Sequence, residues 1–110
     1  MAAAYQNLLV EQGTTFTTTI AIDNAYGDIY DLSGYTVSGQ IRKSYYSSTS
    51  ISFTAVKSLP LVGEITISLT ATQTSALKAG RYVYDIEIES NEETLRVLEG
   101  IIVINPEVTR

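Results

Sequence analysis

The sequence ALKAGRYVYDIEIE, residues 76–89, contains the clearest alternating pattern in the chain. Successive positions of a strand point to opposite faces, so this pattern separates an apolar face from a mainly charged one. The apolar positions are Tyr82, Tyr84, Ile86 and Ile88, and the others are Arg81, Val83, Asp85, Glu87 and Glu89. The pattern predicts a central antiparallel strand with one face in the core and the other in solvent.

The entry to this strand has its own signature. The spacing of Leu77, Gly80 and Tyr82 is typical of the corner where a β-sandwich chain passes from one sheet to the other. At such a corner, a tyrosine near the start of the strand donates its hydroxyl hydrogen to the preceding backbone. We therefore expect this role for Tyr82, with Leu77 plugging the core after at most one short helical turn near Thr72 to Leu77.

Other alternating runs occur at roughly ten-residue spacing between turn residues. Gly39 indicates a bulge or a close backbone approach, and the last run can change phase at Gly100. About seven to eight short strands without a βαβ pattern predict an all-β sandwich or barrel, and the corner favours the sandwich. The runs are Tyr5 to Glu11, Thr14 to Ile22, Ile29 to Leu32, Tyr35 to Lys43, Ile51 to Lys57, Glu64 to Thr70 and Leu95 to Ile104.

The composition limits the available chemistry. The chain has 110 residues, which suits a single domain spanning residues 1–110, and it contains no Cys, His or Trp. Disulfides, thiolate zinc sites and thiol nucleophiles are therefore excluded, an enzyme would have to work with carboxylates, Lys, Tyr and Ser alone, and we expect no cofactor. A net charge of −5, with scattered basic residues, argues against binding to nucleic acid. We expect neither a secretion signal nor a membrane span.

Two groups of acidic residues are candidates for chemistry. Asp85, Glu87 and Glu89 share one strand face, but alternate positions lie about 7 Å apart in solvent, which favours a charged exterior over glycosidase chemistry. A second group could supply oxygen ligands to Ca²⁺, although its spacing matches no EF-hand and such residues also initiate turns. We assign no catalytic, cofactor-binding or metal residue. The second group is Asp23, Asn24, Asp28 and Asp31.

Tyrosine-rich loops are the candidate interaction sites. Tyr45 and Tyr46 lie in the polar loop Ser44 to Ser50, where Tyr supplies rigid contact area and Ser supplies adaptable hydrogen bonding. The alternative is a loop whose tyrosines fold back over the sheet edge. Both interpretations remain open from the sequence.

A resemblance covers almost the whole chain through the order and spacing of its turn and core motifs. The chain resembles small virion structural proteins of tailed bacteriophages, marine cyanobacterial phages in particular. It is also similar to the immunoglobulin-like N-terminal module of phage baseplate upper proteins. The motifs are Gly13-Thr14-Thr15-Phe16, Asp31-Leu32-Ser33-Gly34-Tyr35-Thr36-Val37, Ile41-Arg42-Lys43, Gly63-Glu64-Ile65, residues 77–86, Val97-Leu98-Glu99-Gly100 and Val108-Thr109-Arg110.

This resemblance implies an immunoglobulin-like antiparallel β-sandwich with short terminal tails. It further implies a non-enzymatic subunit, located in the virion after assembly in the host cytoplasm, on the capsid or at the neck, tail or baseplate. Its partners would be other phage structural proteins, with many copies in a symmetric assembly. The expected contact residues are Tyr26, Tyr45, Tyr46, Val108 and Arg110.

The alternative function is a carbohydrate-binding or adhesive module. In that case Tyr26, Tyr45 and Tyr46 would serve as stacking platforms, with Ca²⁺ at the Asp23 turn as an optional component. A glycan array distinguishes the two functions.

Overall fold

The computed structural model describes residues 4–22, 32–59 and 63–108, and most of its regular structure is β-strand. The described residues form nine strands and one short helix. The strands are β1 Ala4–Tyr5, β2 Leu8–Glu11, β3 Phe16–Ala21, β4 Thr36–Arg42, β5 Ile51–Ser52, β6 Thr54–Leu59, β7 Glu64–Leu69, β8 Gly80–Glu89 and β9 Thr94–Asn105, and helix α1 spans Ala71–Ala76.

Two sheets pack as a sandwich. The large sheet has the order β1-β9-β8-β4-β5, with β2 also paired to β9, and the small sheet has the order β3-β7-β6. In immunoglobulin terms, β3, β7 and β6 correspond to strands B, E and D, and β4, β8 and β9 correspond to C, F and G. The predicted immunoglobulin-like sandwich is therefore confirmed.

The core lies between the sheets and follows the alternation of the sequence. On β8, the predicted inner positions Tyr82, Tyr84, Ile86 and Ile88 are all buried. The inner positions of β7 are equally enclosed, since Ile65, Ile67 and Leu69 have at most 1% of their surface exposed. These apolar side chains supply the main driving force for packing the two sheets together.

The predicted corner is also confirmed. Thr70 and Gln73 form a capping box at the start of α1, and Leu77 follows the helix into the core. The Tyr82 hydroxyl donates to the carbonyl of Lys78 at 2.8 Å. The chain is thereby fixed as it enters β8.

The N-terminal segment departs from the antiparallel pattern. Both β1 and β2 run parallel to β9, with Ala4 opposite Leu98 and Leu8 opposite Ile102. The strand predicted from Tyr5 to Glu11 is interrupted after Tyr5, but the segment stays on β9 because the Gln6 N–H donates to the carbonyl of Glu99. Residues 4–11 form one edge of the large sheet.

The predicted strand Ile51 to Lys57 is divided between the two sheets. Residues Ile51–Ser52 pair with β4, whereas Thr54–Leu59 pair with β7, and the buried Phe53 lies at the crossing. The chain thus changes sheets within a run that alternates without interruption.

The two glycine predictions have different outcomes. At Gly39 the close approach is confirmed, because a Cβ atom would collide with the Ile86 side chain and reach 3.0 Å from the carbonyl of Asp85. The phase change predicted at Gly100 is wrong. It occurs at Val97 and Leu98, which are both buried at a bulge opposite Ile86 and Glu87.

Candidate functional site

The outer face of the large sheet, turned away from the core, is the candidate functional site. Ladder pairing arranges its side chains in rows that cross the strands. The central row contains Ile101, Val83 and Arg42, from β9, β8 and β4. One flanking row contains Leu9, Val103 and Arg81, and the other contains Tyr5, Glu99, Asp85, Gln40 and Ser52.

Apolar side chains occupy part of this face. We call Leu9, Val83, Ile101 and Val103 the apolar strip. Leu9 is 59% exposed, and the other three are half-buried by their neighbours on the sheet. Tyr5, on the same edge, is 62% exposed. A fully solvated face would carry polar residues here, so the strip is suited to contact with another surface.

Ion pairs occupy the next part of the face. The Arg96 Nε atom lies 3.3 Å from Asp85 Oδ2, and Arg96 Nη1 lies 3.4 Å from Glu99 Oε2. These side chains are a third to a half exposed, so solvent screens both pairs and each adds little stability. The arrangement agrees with the predicted charged exterior and gives Asp85 a basic partner rather than a second carboxylate.

A shallow depression of about 440 Å³ lies on this face and is open to solvent. Its lining includes Arg42, Tyr45, Asp85, Glu87 and Arg96. Arg42 connects the sheet to the tyrosine loop, because Nη1 donates to the carbonyl of Ser47 at 2.6 Å and Nη2 donates to Gln40 Oε1 at 3.0 Å. One end of the depression is therefore built by the loop that the sequence analysis selected.

The loop tyrosines project into solvent. Tyr45 is 67% exposed and lines the depression, and Tyr46 is 97% exposed beside it. The alternative in which they fold back over the sheet edge is thus wrong. Val108 is also exposed, near the C-terminal end of β9. Tyr26 and Arg110 lie outside the described residues.

The clear shift in pKa belongs to a core tyrosine and not to the site. The pKa of Tyr84 rises from 10.0 to about 12, mainly because burial disfavours its anion, but this residue belongs to the core.

Within residues 4–22, 32–59 and 63–108, no group of three acidic, Cys or His residues could hold a metal ion. The Asp23 to Asp31 turn considered for Ca²⁺ lies outside those ranges. Among the described residues, no helix has the length and apolar content that crossing a bilayer requires.

The sequence analysis missed the apolar strip. Residues 101–104 read IIVI, a continuous apolar run in a strand, which means that both faces of β9 are apolar at this point. Val83 gives a second signal, since it interrupts the charged positions of β8. The position of Leu9 beside Val103 follows only from the register in which β2 pairs with β9.

Comparisons with known proteins inform the fold alone. No protein-family model and no curated protein matches the chain. The chain is similar to InlP of Listeria monocytogenes, at 16% identity and a TM-score of 0.53, over 94% of this chain and 28% of that one. It is also similar to a family 123 glycoside hydrolase from Clostridium perfringens, at 13% identity and a TM-score of 0.45, over 97% and 24% respectively. The chain thus spans about a quarter of the length of each solved chain, and the likeness to InlP shows a shared sandwich fold.

Proposed function

We propose that the chain is a non-enzymatic structural subunit of a bacteriophage virion. It is an immunoglobulin-like accessory module that sits on the capsid or at the neck, tail or baseplate, and it is incorporated when particles assemble in the host cytoplasm. The observation that carries the proposal is the outer face of the large sheet, where the exposed Leu9, Tyr5 and Tyr45 add apolar surface to the half-buried members of the apolar strip. Contact surfaces are enriched in such residues, particularly Tyr. The resemblance of the sequence to virion proteins of tailed phages supports the same function.

The chemistry of the face favours contact over catalysis. Asp85 and Glu99 are about a third exposed, and each forms an ion pair with Arg96. Carboxyl groups that serve as general acids or bases are typically buried away from a counter-charge, and neither residue is placed in that way. The depression is therefore better suited to recognition than to bond breaking.

Particle composition tests the proposal. Virions of the phage whose genome encodes the chain would be purified on a density gradient and examined by mass spectrometry, together with immunogold labelling. We expect the chain at a constant copy number per particle and at one location on it, with its gene among head or tail genes. A chain that stays in the soluble lysate while particles lack it would contradict the proposal.

A second candidate function is recognition of carbohydrate. It is favoured by the position of Tyr45, whose exposed ring borders a depression that also contains Arg42, Asp85 and Glu87. Sugar rings stack on tyrosine and bond to such polar groups. On a glycan array, binding that Tyr45→Ala abolishes and Tyr46→Ala preserves would favour this function over particle assembly.

A further inference from the structure

We infer that the outer face of the large sheet is a self-docking surface, on which a second copy of this chain packs with its strands running in the opposite direction. This inference goes beyond the proposed function, because it concerns a contact that the isolated chain makes by itself. It depends on how charge and apolar surface are distributed over three successive rows of side chains.

Charge changes sign along the middle strand of the face. Strand β8 is third in the order β1-β9-β8-β4-β5 and presents Arg81, Val83 and Asp85 on successive outer positions. A basic group and an acidic group therefore lie on either side of an apolar row. Alternate residues on a strand are about 7 Å apart, so each charge lies about 7 Å from Val83 along the strand.

A two-fold axis along the central row makes this distribution self-complementary. Such an axis lies across the strands at Val83 and Ile101, and it places Arg81 of each copy opposite Asp85 of the other. An axis parallel to the strands would instead place Arg81 opposite Arg81. Because like charges in contact oppose association, the charges favour the first arrangement.

The apolar residues at the sheet edge fit the same axis. Leu9 lies in the row of Arg81, and Tyr5 lies in the row of Asp85. The rotation that pairs the charges therefore also brings Leu9 of one copy against Tyr5 of the other. Both side chains are about 60% exposed in the single chain, and their mutual contact removes that surface from water. The charge pair and this apolar pair thus favour the same axis, which also sets Val103 of one copy against the Arg96-paired Glu99 of the other.

The remaining central residue does not oppose this packing. Arg42 would meet its own copy across the axis, but its guanidinium is turned towards Ser47 in the tyrosine loop and towards Gln40. Asp85 keeps its contact with Arg96 and has a second carboxylate oxygen for Arg81.

The area of the face determines the strength of the contact. Five strands at about 4.8 Å spacing and three rows at about 7 Å give roughly 500 Å² of projected surface per copy. A stable interface buries about 800 Å² per partner, so the dimer belongs to the weak, transient class. We expect dissociation constants from tens to hundreds of micromolar, which correspond to a free energy of dissociation on the order of 5 to 6 kcal/mol.

Sedimentation equilibrium of the full chain, from about 1 µM to about 1 mM, tests the inference. We expect a monomer at the low end and a growing dimer fraction at the high end. Leu9→Ser should weaken the dimer about tenfold, whereas Val56→Ser should leave it unchanged. Val56 is a matched control, since it is 55% exposed on β6 of the small sheet. Circular dichroism checks that both variants remain folded.

A charge exchange tests the proposed axis. Arg81→Asp and Asp85→Arg should each weaken the dimer about tenfold or more, and the double variant R81D/D85R should recover most of the loss, because the opposite charges then meet again. Monomers at the highest concentration, equal effects of Leu9→Ser and Val56→Ser, or a double variant no better than the single ones would each overturn self-docking. A monomer that is still found on particles would leave the proposed function in place.

Discussion

The side-chain hydroxyl of Tyr84 donates a hydrogen bond to the backbone carbonyl of Gln6, 78 residues earlier in the chain. The ring is 3% exposed and makes an edge contact with Phe53, at a centroid distance of 6.0 Å. Tyr84 is also two residues after the corner residue Tyr82, where antibody domains place the second cysteine of their disulfide. A polar tyrosine tip thus connects the N-terminal segment to the core of a chain that has no cysteine.

Tyr84→Phe should lower the free energy of unfolding by about 1 to 3 kcal/mol, because the Gln6 carbonyl loses its side-chain donor. Tyr84→Ala should cost more, on the order of 3 to 5 kcal/mol, because it also opens a cavity. Urea denaturation measures both values. Two variants as stable as the parent would contradict this assignment of Tyr84 to the core.

The cost of Tyr84→Phe should depend on pH. The pKa of Tyr84 is about 12 in the folded chain and near 10.0 when unfolded, so its stabilising effect is complete below pH 10 and is lost as the pH rises towards 12. The difference between parent and Tyr84→Phe should therefore be constant from pH 7 to 9 and shrink by up to about 2 kcal/mol above pH 10. Other tyrosines titrate in both proteins, which makes the difference specific to Tyr84. A difference that stays constant up to pH 12 would show that burial does not shift this group.

Gly100→Ala should detach the N-terminal segment from β9. A Cβ atom at Gly100 would collide with the Gln6 carbonyl and would lie 3.2 Å from Cε1 of Tyr84. We expect a loss of about 2 to 4 kcal/mol, as for an overpacked core site. Gly34→Ala is the control, since a Cβ there meets nothing within 4 Å and the cost is limited to its positive φ of 83°. The two substitutions should differ clearly in thermal melts, and the effect of Gly100→Ala should fall sharply in a chain lacking residues 1–7.

Tyr82→Phe should cost about 1 kcal/mol, and up to about 3 kcal/mol if the Lys78 carbonyl finds no other donor. The lost bond is the 2.8 Å contact at the corner. Tyr46→Phe is a suitable control because Tyr46 is almost fully exposed. Denaturant midpoints that are equal for both variants would mean that the corner bond adds nothing to stability.

In the runs that alternate regularly, the pattern predicted which side of a strand faces the core, but not which strand it pairs with. Ile51, Phe53 and Ala55 are all buried or half-buried, as their shared phase predicts, yet the first pairs in the large sheet and the last in the small sheet. A strand that crosses the sandwich keeps its inner side towards the core, so its pattern does not change. The parallel direction of β2 was hidden for the same reason, because Leu8 and Val10 are buried with either orientation.

The sequence predicted those parts of the site whose residues can be recognised one by one. Exposed loop tyrosines follow from a polar loop, and the structure places Tyr45 and Tyr46 in solvent as a contact role requires. The apolar strip, in contrast, combines residues from β2, β8 and β9 that only ladder register brings together. The wrong position predicted for the phase change of β9 also contributed to missing the apolar strip. Gly100 leaves room for the Gln6 carbonyl, whereas the bulge that changes the phase is at Val97.

The last prediction concerns incorporation into particles and rests on the proposed function. Changing both Tyr45 and Tyr46 to Ser, or deleting Val108 to Arg110, should leave the melting temperature within about 2 °C of the parent, because Tyr45, Tyr46 and Val108 are exposed and such side chains contribute little to stability. The same variants should be incorporated less efficiently, since the contact area that they supply to neighbouring subunits is lost. The measurement is a competition in which tagged variant and wild-type chains are co-expressed during infection, and their ratio is read from purified virions. Val56→Ser serves as the matched control from the small sheet and should be incorporated like wild type. Variants that enter virions at the wild-type ratio would show that neither the tyrosine loop nor the C-terminal residues form the contact.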